Sequence, residues 1–496
     1  MKILIITTND YKEYRSRCLK KIWLEKRNSQ VVEKNESTNK DEFILIHELA
    51  RKIKDNGTLI NYNSNHDVMV KQTEEKMSRN ETIYHAMFKY EDTYVKYDIL
   101  VRHNDRLDIY LIKGTVRIEE KYYHELALQY YVLQQLEYQV GDIYIIYINN
   151  DYIRDDELEI NKLFNVENVT NQVINLIDEV QQNIQLIKDT LKETQEPNVN
   201  LGEYCLKATG KSDKSDCDYK KYCFKDIPQN NVFDIHGMRI GTMFKYYQKG
   251  IIGFEDLVKQ EGIRDNQRIQ IECELNDNKI INRDKISNFI DNLNYPLYFL
   301  DFETFHPAIP PYKGVKPYQQ IPFQYSLHYK QTQNDNLKHS EYLAKEGKDC
   351  TREFAEKLIQ DLGKEGDIIV YNAKFESTRI KELANIYDDL KIDLLKLKER
   401  IVDLMDIFQK KYYYQKEMKG SYSIKYVLPA FFPDDEELNY SRLNIKNGSM
   451  AMNVFSTLHL KAESEINQIR EDLLKYCHLD TLAMVRILEK LEDFKV

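Results

Sequence analysis

Two acidic residues set the first chemical question. Asp301 and Glu303, in the run LDFET (300–304), stand two apart in an apolar stretch that reads as a strand. Side chains alternate along a strand, so both carboxylates point to one face. Buried together they repel and lose hydration, which is costly unless cations neutralise them. Magnesium or manganese, which take oxygen ligands, would supply that charge. The plain alternative is a strand end with both acids in water. A second pair, Tyr476 and Asp480 in YCHLD, falls one helical turn apart on one face. A satisfied surface pair is the ordinary reason for that spacing. Between the two lies YNAKFE (371–376), where a strand runs into a helix, with Asn372 as its natural cap and Glu376 in the first turns.

Cysteines pose the second question. Cys205, Cys217 and Cys223 fall in one loop-rich segment and Cys18 lies far upstream, while Cys273, Cys350 and Cys477 are scattered. In a reducing compartment such a cluster favours metal or catalysis over disulfides. A third feature is a ribbon in which Lys410, Lys411, Lys416, Lys419 and Lys425 interleave with Tyr412, Tyr413, Tyr414 and Tyr422. Cations for phosphates and rings for stacking suit single-stranded nucleic acid, with Lys410, Lys411, Tyr422 and Lys425 as contacts. A solvated, tyrosine-rich flap is the alternative.

The elements that must position these residues read as follows. A helical pattern runs from Asp10 to about Lys26, and 42–54 is an amphipathic helix carrying His47. Alternating runs near 93–102 and 106–112 flank the turn His103-Asn104-Asp105 and predict a hairpin. A helix over 119–137 and a buried strand at 143–149 follow. Val173, Ile177, Val180, Ile184, Ile187 and Leu191 mark one face of a long helix. The segment 224–292 reads as a polar helical connector. Gly250-Ile251-Ile252-Gly253 inside it reads as a helix–helix turn, with a helix-hairpin-helix DNA contact as the sharper alternative. From Tyr295 the runs PLYFLDFETF, PFQYSLHYK and DIIVYN predict strands, followed by a helix from about Ala373 and a last one over 464–494. The fold class is α/β, in three parts: 1–223, 224–292 and 293–496.

A chain of 496 residues exceeds one hydrophobic core. Its net charge of −10 argues against coating nucleic acid by charge alone, although carboxylates that bind metals count as negative until they do. The apolar run Ile3–Ile6 is too short for a signal peptide and no stretch suits a membrane span, so a cytoplasmic location is expected.

Taken together, the three acidic elements resemble the DEDD exonucleases with an RNase H-like fold, in the subgroup whose last motif is Tyr-x-x-x-Asp. The likeness spans about 295–494 and includes SIKYVLPAFFP (423–433). It implies a two-metal site in which Asp301, Glu303 and Asp480 hold the ions, Glu376 completes the set and Tyr476 orients the attacking water. The family usually has Asp where Glu376 stands; Asp403 and Asp406 are nearby candidates to compensate.

The first part resembles the iron–sulfur RecB-like nucleases, such as the four-cysteine CRISPR-associated and AddB-type groups. That likeness implies a [4Fe–4S] cluster on Cys18, Cys205, Cys217 and Cys223, with zinc as the runner-up. It also implies a PD-(D/E)xK site, matched only in part. Asp98 fits the first acid, Lys113 the lysine, His47 a metal-binding histidine and Gln129 the following helix. Leu111 stands where the second acid belongs, and Asp108 falls on the opposite face. Asp105 or Glu119 would have to complete the site. End to end, the chain is similar to a bacterial family that fuses these two modules. The expectation is a metal-dependent nuclease, with 3′–5′ exonuclease action on DNA in the C-terminal part and a degenerate N-terminal module that holds nucleic acid. The alternatives are a non-catalytic nucleic-acid-binding or assembly protein, and an enzyme acting on RNA.

Overall fold

A computed structural model describes residues 5–27, 40–206 and 216–496. Backbone packing divides the chain into two compact units, Met1–Asp226 with Ala308–Tyr318, and Ile227–Pro307 with Gln319–Val496. Both mix helices with sheets. No described helix is long and apolar enough to cross a membrane.

The first unit holds β1 (Ile6–Thr7), β2 (Thr58–Leu59), β3 (Thr82–Tyr84), β4 (Met87–Tyr90), β5 (Thr93–Lys96), β6 (Ile99–His103), β7 (Arg106–Lys113), β8 (Gln139–Ile148) and β9 (Phe164–Asn168). Six of them form one mixed sheet in the order β2-β3-β6-β7-β8-β9, and β1-β5-β4 form a smaller one. The turn between β6 and β7 lies at Asn104, whose φ of 55° is a conformation Asn tolerates. The run 93–102 is two strands rather than one. It breaks at Tyr97-Asp98, where Tyr97 is fully buried and donates to the Gln129 carbonyl, so β5 and β6 enter different sheets. The helix expected over 10–26 is likewise two, Thr8–Ser16 and Leu19–Arg27, and Cys18 sits in the break. Helix Glu120–Gln135 packs Leu126, Ala127, Leu128, Val132 and Leu133 into the core shared with Ile109 and Leu111 of β7. The expected long helix is Thr170–Ile174 followed by Ile177–Lys192, and its apolar face is buried as its spacing requires.

The second unit contains β10 (Lys279–Ile281), β11 (Leu297–Phe305), β12 (Ile321–Lys330), β13 (Lys338–Leu343), β14 (Asp367–Val370), β15 (Ile401–Asp403) and β16 (Tyr413–Gln415). Its main sheet has the order β13-β12-β11-β14-β15. β11, β12 and β13 pair antiparallel, whereas β11, β14 and β15 run parallel. Alternation along β11 sends Leu297 and Phe299 into the core under helix Glu463–Glu492, and Tyr298, Leu300 and Phe302 into the core beneath helices Thr351–Leu362, Ala373–Ile386 and Lys391–Glu399. Segment 227–291 is not a free connector. Its β10 pairs with β16, and Cys273 and Ile286 are buried in the second unit's core. Gly250 and Gly253 form a plain turn between helices Ile240–Gln248 and Phe254–Leu257, with Gly250 at φ 75°.

Candidate active site

Asp301 and Glu303 lie on the face of β11 that also carries Leu297 and Phe299, opposite Ser326 and Gln324 of β12. Helix Glu463–Glu492 covers this face and brings Asp480 to them. One carboxylate oxygen from each of Asp301, Glu303 and Asp480 lies within 4.8 Å of the other two. Glu303 and Asp480 are only 7% and 8% exposed, so water screens little of their repulsion. Burial, with the negative charges of Asp480, Glu303 and Glu376, lifts the Asp301 carboxyl well above its usual range. Burial and Asp480 push Glu303 up to about 8. Burial also raises Asp480, to about 6, against the opposing pull of Tyr440, Lys425 and Tyr476. The Tyr440 hydroxyl donates to Asp480 Oδ1 at 2.6 Å, and Cys477 Sγ donates weakly to Asp301.

Around this cluster the protein places a tyrosine, a cation and a fourth carboxylate. Tyr476 is buried one turn before Asp480. Lys425 Nζ sits 5.7 Å from the Tyr476 ring centre and 5.6 Å from that of Tyr440, and donates to the Lys446 carbonyl. A Cβ placed on Gly448 would lie 3.4 Å from Glu303 Oε2, so the start of helix Gly448–Ser456 abuts that carboxylate with bare backbone. Glu376 is 2% exposed; burial, with Asp403 adding, pushes it up to about 8. Its Oε2 has no hydrogen-bond partner among the described residues. Glu376 stands outside the tight trio, but its charge is felt at Asp301 and Glu303.

Asn372 is not the cap expected from its type. It adopts φ 86° and makes no side-chain capping bond. Asp403 takes that role from β15, accepting from the amides of Asn372, Ala373 and Met405 at 2.8–3.0 Å. Asp403 is therefore committed to the helix start, and Asp406 pairs with Lys410. Neither substitutes for the carboxylate at 376.

The tyrosines of the ribbon are buried or partly so, whereas Lys410, Lys419 and Lys425 are exposed. Lys411 is 5% exposed, donates to the Gly420 carbonyl at 2.9 Å and lies 3.8 Å above the Tyr414 ring. Tyr413 and Tyr414 are core residues because β16 pairs with β10. Lys416 pairs with Asp277. Tyr422 uses its carbonyl to receive the Tyr371 hydroxyl. Of the ribbon's cations, Lys425 is the one whose charge acts on the carboxylates.

In the first unit, Cys18, Cys205, Cys217 and Cys223 converge. Cys217 donates its amide to the Cys205 carbonyl at 3.0 Å. Burial pushes the Cys205 thiol up to about 11, and the charges of Cys18, Cys217 and Cys223 all add to that shift. The nuclease-type residues also approach one another. His47 Nδ1 is 3.9 Å from Asp98 Oδ1, the Ile112 amide donates to Asp98 Oδ2, and neither ring nitrogen of buried His47 has a hydrogen-bond partner among the described residues. Burial raises Asp98, yet His47, Lys113 and the Ile112 amide outweigh it and leave the carboxyl low. Leu111 is core, and Asp108 faces the Asp142 amide and His103. Gln129 donates to the Lys96 carbonyl. Asp105 sits in the β6–β7 turn, and Glu119 pairs with Lys121. The acid that does meet Lys113 is Glu125, at 2.7 Å from helix Glu120–Gln135. Sequence reasoning missed Glu125 because its motif position is defined by a helix packing on β7, not by spacing. It also missed a trio of histidines, His328, His339 and His478, whose ligand nitrogens lie within 4.8 Å of one another.

The fold and this site define a mixed α/β protein with a buried carboxylate cluster built on a central strand. Residues 298–423 match the model of a family described as a domain of unknown function, DUF2779. That span holds Asp301, Glu303 and Glu376 but not Tyr476 or Asp480. The chain is similar to "Uncharacterized protein MG366" of Mycoplasma genitalium, 26% identical over 225 residues, covering 42% of this chain and 34% of the relative. It is also similar to "Uncharacterized protein UU173" of Ureaplasma parvum, 31% identical over 212 residues, covering 38% of this chain and 30% of the relative. The matched regions thus span about a third of the length of these relatives.

Proposed function

We propose that the chain is a metal-dependent nuclease of the DEDD type, acting as a 3′–5′ exonuclease on DNA, with Asp301, Glu303, Glu376, Tyr476 and Asp480 as its active site. The observation that carries this reading is the meeting of three carboxylates within 4.8 Å, Glu303 and Asp480 buried and Asp301 partly so, with a buried tyrosine one helical turn before the last of them. The strand order β13-β12-β11-β14-β15, with the acidic strand central, supports an RNase H-like sheet.

The donor set fits magnesium or manganese: oxygen ligands, crowded negative charge and an unpartnered oxygen on Glu376. Asp301, Glu303 and Asp480 would hold two ions, with Glu376 completing the set. Such ions, when bound, stabilise charge on phosphate oxygens and ease deprotonation of water. The residues themselves do the rest. Tyr440 fixes one oxygen of Asp480 by its hydrogen bond. Burial and the surrounding anions keep the Tyr476 hydroxyl protonated, so it orients the attacking water rather than accepting its proton. Lys425 offers a positive charge beside the carboxylates for non-bridging phosphate oxygens.

In this reading the first unit is a RecB-like module that holds nucleic acid and carries a [4Fe–4S] cluster. The test is incubation of purified protein with end-labelled single- and double-stranded DNA and RNA, with Mg²⁺ or Mn²⁺. Shortening of DNA from its 3′ end, lost in Asp301→Ala, is the expected result. Retention of every substrate intact, with binding preserved, would favour the non-catalytic alternative.

A further inference from the structure

Two of the three histidines lie on the sheet face that carries the carboxylates, His328 on the strand next to β11 and His339 on the strand beyond it. His328 of β12 and His339 of β13 are direct cross-strand partners. His478, from helix Glu463–Glu492, packs against both, and all three pairs of ring centres lie 4.4–4.6 Å apart. His339 Nε2 and His478 Nδ1 are 3.3 Å apart. Two nitrogens bound to one tetrahedral zinc at 2.0–2.1 Å would be separated by about 3.3–3.4 Å. A single N–H···N hydrogen bond would account for that one pair, but not for a third imidazole nitrogen gathered within 4.8 Å.

We propose that His328, His339 and His478, with Glu341 as the fourth ligand, form a binding site for one zinc-class transition-metal ion, separate from the carboxylate cluster. Glu341 lies two residues after His339 on β13, and its Oε2 is 3.9 Å from His339 Nε2. The outer contacts of a metal-binding histidine are also present. His328 Nδ1 meets Thr481 Oγ1 at 2.8 Å, and that hydroxyl is 3.1 Å from the His478 carbonyl. A proton on Nδ1 then donates to Thr481 and leaves His328 Nε2 as the ligand, the arrangement that orients imidazoles around metals. Ser326 Oγ, 2.9 Å from His339 Nε2 and 2.8 Å from Thr481 Oγ1, holds His339 inward without the ion and turns to Thr481 with it.

Three nitrogens and one oxygen select zinc, cobalt or nickel over magnesium, which prefers all-oxygen ligands. Four protein ligands make the site closed, hence structural. The ion would pin helix Glu463–Glu492, the bearer of Tyr476 and Asp480, to β12 and β13.

The experiment titrates chelator-treated full-length protein with Co²⁺ and follows the visible absorption of tetrahedral cobalt, with Zn²⁺ as competitor. Wild type should show one tetrahedral cobalt band from nitrogen and oxygen ligands, abolished in His339→Gln and in His478→Gln and kept in Asp301→Asn. Thiolate charge-transfer bands from the cysteines should be unchanged in both histidine variants. Thr481→Val should weaken the ion about 10–100-fold. His339 is partly exposed on an edge strand, so the metal-free melt of His339→Gln should match that of the metal-free wild type. A cobalt band equally strong in His339→Gln and wild type, or absent from wild type, would overturn the site.

Discussion

Asp480 illustrates how a residue's neighbours decide what its charge is for. It is buried beside two other carboxylates, and the hydroxyls of Tyr440 and Tyr476 and the charge of Lys425 stand against them. Asp480→Asn keeps the shape and leaves an oxygen for the Tyr440 hydroxyl, but removes one charge from the cluster. At pH 8 without divalent ions, the variant should therefore unfold at higher urea than wild type, by on the order of 2 kcal/mol, while losing nuclease activity. Equal or lower stability together with full activity would remove Asp480 from the site. Lys411 makes the reverse case. Burial lowers its amine to about 8, against an ordinary value of 10.5. Below about pH 8 the folded protein carries this charge at a cost. As pH rises from about 8 towards 10, the folded state loses the proton while the unfolded chain keeps it, so stability rises by roughly 1.4 kcal/mol per pH unit. Lys411→Met should be more stable than wild type at pH 7, and the gap should narrow by pH 9.5 in urea melts; parallel profiles would refute the account. Asp301 and Glu303 were legible in the sequence because strand alternation alone puts them together. Tyr440, Glu125 and the three histidines were not, because each reaches its partners through tertiary packing. Lys411 was misread because residue type says nothing of the β10–β16 pairing that buries it.

The elements show where local pattern suffices and where it does not. The long apolar runs around β8, β11 and β12 and the closing helix were legible from hydrophobic periodicity. Breaks were not, since the pattern passes through Tyr97-Asp98 and Arg17-Cys18 without a Gly or Pro to mark them. The second break has chemical meaning. It releases Cys18 from a continuous helix, between Thr8–Ser16 and Leu19–Arg27, at the end of the unit where Cys205, Cys217 and Cys223 gather. The cluster proposed there would tie the first helices to the last segment of the unit, and its binding free energy would become folding free energy. Anaerobically purified protein should be brown and hold about four irons per chain. Cys18→Ser should lower the melting temperature of the first unit and leave the carboxylate site of the second active. Stoichiometric zinc without iron would assign the thiols differently. The segment 224–292 reads as a connector because it is polar, whereas Cys273 and Ile286 within it are buried in the second unit's core.

At the scale of the molecule, the proposed nuclease activity is assigned to one unit rather than to both. With a net charge of −10, the nucleic-acid binding proposed for the chain would have to come from local features rather than overall charge. In the second unit Asp301, Glu303 and Asp480 meet within 4.8 Å, and buried Glu376 adds its charge from outside that trio. The first unit keeps Asp98 and His47 together, but Leu111 fills the place of its second acid with core packing, and Lys113 is already paired with Glu125. A lysine held at 2.7 Å by a carboxylate is poorly placed to stabilise charge on an attacked phosphate. A hard divalent ion left with one carboxylate and one histidine should bind weakly. We therefore predict that the first unit does not cleave, and that Asp301→Ala abolishes all nuclease activity of the full-length chain. Glu125 is the residue that could make this wrong, because it is an acid already at the lysine. The decisive comparison adds Lys113→Ala or Glu125→Gln to the Asp301→Ala background. If Asp301→Ala retains cleavage that either second change removes, the first unit is an active nuclease and Glu125 is its second acid. If Asp301→Ala is inert on every labelled substrate while nucleic-acid binding persists, the division of labour between the two units stands.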